Sequence, residues 1–125
     1  MRTAIVSDLH LGSPSGEDVA RDPEIRALML EEIGDADRLV LLGDVLELRS
    51  LPLARVLEVV APFFEALGDA MRGRRVVIVP GNHDHRLAEP LLEGVALAGG
   101  PLGLEHRAPA DSDPAARIDG WLGNA

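Results

Sequence analysis

The sequence predicts an α/β fold of β-α-β-α-β order with parallel strands, and three observations carry that prediction. Three short runs, Ala4-Ile5-Val6, Leu39-Val40-Leu41-Leu42 and Val76-Val77-Ile78-Val79, are continuously apolar and largely β-branched or leucine. Between them lie segments with apolar residues at helical spacing. Each run also ends in metal-ligand chemistry: Asp8 and His10 after the first, Asp44 after the second, Asn82 and His83 after the third. Three such endings in one small domain suggest side chains converging on one edge of a sheet. Ligands of such sheets sit beyond the carboxyl ends of the strands, where these residues fall.

Residues 2 to 7 read as the first strand, and an unbroken apolar run is the pattern of a strand buried on both faces. Asp22-Pro23 supplies an N-cap and a proline at the first helical position. Ile25, Leu28, Met29 and Ile33 then recur at helical spacing as far as Gly34. The second strand spans 38 to 42. From Leu53, the positions Val56, Leu57, Val60, Phe64, Leu67 and Met71 mark one face of a long helix that ends near Gly73 and is expected to kink at Pro62. The third strand covers 74 to 79, and 87 to 92 read as a short helix interrupted by Pro90. Parallel strands joined through helices call for right-handed crossovers. Residues 1–94 therefore read as the domain proper, and 95–125, with Gly99, Gly100, Pro101, Gly103, Pro109 and Pro114, as a Gly/Pro-rich loop or poorly ordered tail.

At 125 residues with 46% hydrophobic content, the chain is a single domain with a modest core. With no Tyr, one Trp and two Phe, that core rests on Leu, Val, Ile and Ala. All 12 basic side chains are Arg, and the formal charge of −9 argues against a broad nucleic-acid surface. A phosphorylated substrate stays compatible, because bound divalent cations reverse the sign locally. The absence of Cys excludes disulfides, thiolate metal sites and a cysteine nucleophile, and the absence of Lys excludes a P-loop. The first apolar run meets Asp8 too soon for a signal peptide, and no stretch is long enough to span a bilayer. A soluble cytoplasmic protein is the default expectation.

Asp8 and His10 lie two apart, so an extended backbone points both the same way. A carboxylate and an imidazole on one side make two-thirds of a divalent metal site. Asp44 follows a glycine that permits a sharp turn, Asn82 offers a neutral oxygen, and His83 offers an imidazole beside it. Singly, each has a structural reading: Asp8 as a loop cap, Gly43-Asp44 and Pro80-Gly81-Asn82 as turns. Their joint occurrence, in order and each after an apolar strand, favours a site.

Asp8-Leu9-His10, Gly43-Asp44-Val45-Leu46-Glu47 and Gly81-Asn82-His83-Asp84 together resemble the motifs of calcineurin-like metallophosphoesterases. Ser7 to Gly12 is also similar to bacterial members that include UDP-diacylglucosamine pyrophosphatases. The resemblance implies the N-terminal β-α-β-α-β half of a metallophosphoesterase sandwich. It implies Asp8 and His10 on one metal, Asp44 bridging two, and Asn82 on the second, with Mn²⁺, Fe or Zn²⁺ suiting such donors. His83 would protonate the leaving oxygen and Glu47 would orient it, with Asp84 as the second choice for that role. The implied reaction is phosphoester hydrolysis by a water activated between two metals and attacking phosphorus in line. The implied substrate is a phosphorylated small molecule or a phosphodiester.

The family's downstream Gly-His-x-His element has no counterpart, since His85 and His106 are the remaining histidines and neither sits in one. The chain thus reads as a truncated phosphoesterase domain. A non-catalytic metal-binding fragment or vestigial domain is the alternative reading. A third takes His83 and His85 as the H-x-H pair of another metallohydrolase class, and it leaves Asp8, His10 and Asp44 unexplained.

Overall fold

Two parallel pairings build the sheet of the computed structural model, which describes residues 1–16, 18–98 and 114–123. Strands β1 (Thr3–Val6), β2 (Arg38–Leu42) and β3 (Arg75–Val79) lie in the order β1-β2-β3. Helix α1 (Pro23–Ile33) connects the first pair and helix α2 (Leu53–Ala70) the second. Because both connections step the same way across the sheet, right-handed crossovers put both helices on one face. The fold is the α/β arrangement that the strand-helix alternation predicts.

Side-chain alternation shows which face that is. Leu39 and Leu41 are fully buried, and Ala4, Val6, Val76 and Ile78 pack against the same core. Val56, Val60, Phe63, Phe64 and Leu67 of α2 cover them, each deeply buried Leu or Phe contributing about 1.5–3 kcal/mol. On the opposite face Ile5 is 63% exposed, Leu42 47% and Val79 41%. The expectation of strands buried on both faces is therefore corrected: among the described residues no element covers the second face. The sequence pattern encodes apolar side chains on both sides, and the one-sided crossovers bury one.

Helix α1 starts and stops at its signals. The Asp22 carboxylate accepts from the amides of Glu24 and Ile25 at 2.9 and 3.4 Å, Pro23 takes the first helical position, and Gly34 follows the last. Its apolar stripe is only half used, since Ile33 is buried while Leu28 is 64% exposed. Helix α2 continues through Pro62, which lies on its exposed side.

Two readings of the C-terminal third change. Pro90 does not interrupt a helix; it sits in the first turn of α3 (Glu89–Ala98), where a missing N–H costs nothing. Residues 114–122 form helix α4 (Pro114–Leu122) rather than loop. Ile118 and Leu122 recur four apart, are buried, and dock on α2, with Trp121 stacked 6.5 Å from Phe64. The loop reading of 99–113, with His106, falls outside the described residues.

Candidate metal centre

The loops leaving β1 and β2 run side by side, extending the ladder past the strands. The amides of Asp8, His10 and Leu11 donate to the carbonyls of Gly43, Asp44 and Val45 at 3.1, 2.9 and 2.9 Å. The Glu47 amide returns to Leu11 O at 2.9 Å, and the Leu48 amide bonds His83 O at 3.1 Å, tying in the loop after β3. Three backbone loops are thus held at one sheet edge.

Within them the expected residues take unusual backbone conformations. Asp8, His10 and Asp44 have φ of 56°, 45° and 51°, the only described non-glycine residues with positive φ. Such conformations cost about 1–2 kcal/mol each for residues with a Cβ, and they concentrate at functional sites. The extended geometry expected for Asp8 and His10 is thereby corrected: left-handed turns, rather than strand alternation, bring the two side chains together. Their Oδ1 and Nε2 atoms stand 3.7 Å apart.

Asp44 lies where the second and third loops meet. Its Oδ1 accepts from the His83 amide at 2.9 Å. Gly81 packs so tightly on it that a Cβ would stand 2.7 Å from the Asp44 nitrogen and collide with Oδ1, so only glycine fits. One amide position of Asn82 stands 3.1 Å from both Asp44 carboxylate oxygens. An amide nitrogen there donates to both carboxylate oxygens and satisfies them. The carboxylates of Asp8 and Asp44 with the His10 imidazole are a donor set that fits a divalent ion. Ligand atoms of Asp8, His10 and Asp44 all lie within 4.8 Å of one another.

His83 and Glu47 form the second part of the site. His83 Nδ1 is 2.6 Å from Glu47 Oε2, and Glu47 Oε1 accepts from the Arg49 amide at 3.1 Å. Burial pushes the Glu47 carboxyl up, but the hydrogen bonds from His83 and the Arg49 amide, helped by the charge of His83 and a bond from His10, bring it below the ordinary glutamate range. Glu47 is thus held as the anion. The His10 and His83 rings meet edge to face with centroids 5.0 Å apart.

Asp84 does something else. Completely buried, it accepts from the amides of Gly81, Val45 and Leu46 at 2.6, 2.8 and 3.1 Å, clasping the second loop to the third. Both oxygens are committed to backbone, so the structure gives it no contact with the His83 ring. His85 is exposed and pairs with Glu89 at 2.9 Å, so the H-x-H reading gains no geometry. Sequence reasoning passed over Arg49, whose Nη1 lies 3.4 Å from His83 Nε2. An arginine two residues beyond an acid gives no signal in sequence; only the fold brings it to the imidazole.

A profile of calcineurin-like phosphoesterases matches residues 1–119. The chain belongs to that family. No curated protein and no solved structure matches the chain significantly. The match covers all three strand endings and runs into α4 of the phosphoesterase. Membership makes it a member of a metal-dependent hydrolase family acting on phosphorylated substrates, in keeping with its His/Asp/Glu groups. No described helix of the phosphoesterase is long and apolar enough to cross a membrane.

Proposed function

We propose that this chain hydrolyses a phosphoester of a small molecule or a phosphodiester, with Asp8, His10, Asp44 and Asn82 holding two divalent cations and His83 as the general acid. The observation that carries this reading is the 2.6 Å contact from His83 Nδ1 to the buried Glu47 carboxylate. A carboxylate on Nδ1 fixes the orientation of the ring and leaves Nε2 as the atom that delivers a proton to the departing oxygen. Asp84 serves this arrangement by fixing the loops that present Asp44 and His83.

Bound divalent cations supply an activated water and neutralise phosphate charge. The protein's own part is to aim the carboxylates, exclude alternative ring orientations of His83, and place its proton. Mn²⁺, Fe and Zn²⁺ all suit the mixed oxygen and imidazole donors.

The test is hydrolysis of p-nitrophenyl phosphate and bis(p-nitrophenyl) phosphate by chain loaded with Mn²⁺. Turnover that a chelator abolishes and added metal restores supports the reading. Stoichiometric metal binding without turnover of either ester would point instead to a non-catalytic metal-binding module.

A further inference from the structure

His10 presents its two ring nitrogens to two different donor sets. Its Nε2 faces Asp8 Oδ1 at 3.7 Å, while its Nδ1 faces Glu47 Oε2 at 3.5 Å. His10, Glu47 and His83 offer ligand atoms all within 4.8 Å of one another. This set shares His10 with the Asp8–Asp44 group but contains no other member of it.

We propose that His10, Glu47 and His83 form a separate transition-metal site, selective for Zn²⁺, whose occupation withdraws His83 and Glu47 from acid catalysis. Two imidazoles and one carboxylate are a known donor set for Zn²⁺ with a fourth position left open. Zn–ligand bonds of about 2.0–2.1 Å in a tetrahedron separate ligand atoms by roughly 3.3–3.4 Å. The 3.5 Å from His10 Nδ1 to Glu47 Oε2 already meets that spacing, and the 2.6 Å from His83 Nδ1 needs to open by less than an ångström.

Burial is arranged as such a site requires. The Glu47 side chain is 8% exposed and forms the floor, whereas His10 and His83 at 24% and 28% leave an approach from solvent. The protons through which His83 and His10 bond to Glu47 must both leave their Nδ1 atoms. A neutral ring moves its proton to Nε2, and a charged ring releases it to solvent. The opposing charge is Arg49, which is exposed and can turn away from Nε2 into water. Donor balance separates the two sets: Asp8, Asp44 and Asn82 with the one imidazole of His10 accept Mn²⁺ as well as Zn²⁺, whereas two imidazoles and one carboxylate favour Zn²⁺ over Mn²⁺.

The site is tested by binding, and only its consequence for catalysis rests on the phosphoesterase reading. Full-length chain is titrated with Zn²⁺ against a chromophoric chelator, with circular dichroism to confirm that each variant is folded. Wild type and Asp44→Asn are expected to take the tightest equivalent of Zn²⁺ with similar affinity. Glu47→Gln and His83→Gln are expected to weaken it by more than about a hundredfold, beyond the loss of an outer-shell partner. Co²⁺ in its place should give an intense tetrahedral visible spectrum in wild type and Asp44→Asn alone. Tight Zn²⁺ binding that Asp44→Asn removes and Glu47→Gln leaves would overturn the proposal, as would no stoichiometric binding. Failure of the phosphoesterase reading is distinct: Mn²⁺-loaded wild type would hydrolyse neither ester while Zn²⁺ binding followed the variants as expected.

Discussion

His83 Nδ1 stands 2.6 Å from Oε2 of Glu47, a residue only 6% exposed. The pair joins the loop after β2 to the loop after β3, so the proposed role of His83 as the acid depends on a partner 36 residues away in sequence. A general acid is worth about 10²–10⁴-fold in rate. His83→Ala is expected to lower kcat by that amount for a phenyl or alkyl phosphate. With p-nitrophenyl phosphate, whose leaving group needs little protonation, the loss should be much smaller. A double-mutant cycle with Glu47→Gln should be non-additive, the double variant being no slower than His83→Ala.

The same pair sets a pH dependence. Glu47 has a folded-state pKa below its unfolded value, so it contributes stability that is fully present above the unfolded value and is lost as pH falls through the folded one. Urea denaturation of metal-free chain across the acid range should therefore show a falling limb in wild type. In Glu47→Gln that limb should be shallower.

How much of this was legible follows from which interactions are local. Asp22, Pro23 and Gly34 bound α1 because capping is a short-range code. The strands were legible as apolar runs, and their parallel pairing followed from the helices between them. The bare sheet face was not, because a continuous apolar run is the pattern of strands covered on both sides. Helix α4 was obscured by the Gly/Pro-rich stretch before it, although Ile118 and Leu122 carried the spacing. In the site, the positions of Asp8, His10, Asp44, Asn82 and His83 were legible as strand endings. Their left-handed backbone and the role of Asp84 as a clasp were not, since both depend on neighbouring loops.

Asp44 is the residue on which the oxygen-rich donor set turns. Asp44→Asn keeps an oxygen to accept the His83 amide, so the loop geometry should survive while a charge is lost. Mn²⁺ at about a hundred times its dissociation constant should stabilise wild type by about 2.7 kcal/mol. Differential scanning fluorimetry should show that Mn²⁺-dependent rise in Tm for wild type and little of it for Asp44→Asn. A full rise in the variant would remove Asp44 from the metal site.

The docking of α4 on α2 rests on Gly68. A Cβ there would collide with the Leu122 carbonyl oxygen and stand 2.8 Å from Leu122 Cα, both backbone atoms that cannot turn aside. Helix propensity alone would make Gly68→Ala stabilising by about 1 kcal/mol. Overpacking costs about 1–3 kcal/mol, so the net effect should be destabilising or should release α4. Trp121, the single tryptophan, stacks on Phe64 and reports which occurs. A red-shifted emission with the remaining fold intact would indicate release, and a more stable variant with unchanged emission would contradict the packing.

One-sided coverage of the sheet predicts opposite tolerance on its two faces. Leu41 is fully buried under α2, and its truncation to Ala removes buried methyl groups and leaves a cavity, which should cost about 2–5 kcal/mol. Ile5 occupies the other face at 63% exposure, so Ile5→Thr, which keeps the β-branch, should change stability by no more than about 0.5 kcal/mol. Chemical denaturation of both variants as isolated monomer measures the difference. Equal large losses would mean that the second face is covered in solution. A small loss at Ile5 beside a large one at Leu41 fits a sheet whose crossover helices, α1 and α2, both lie on one side.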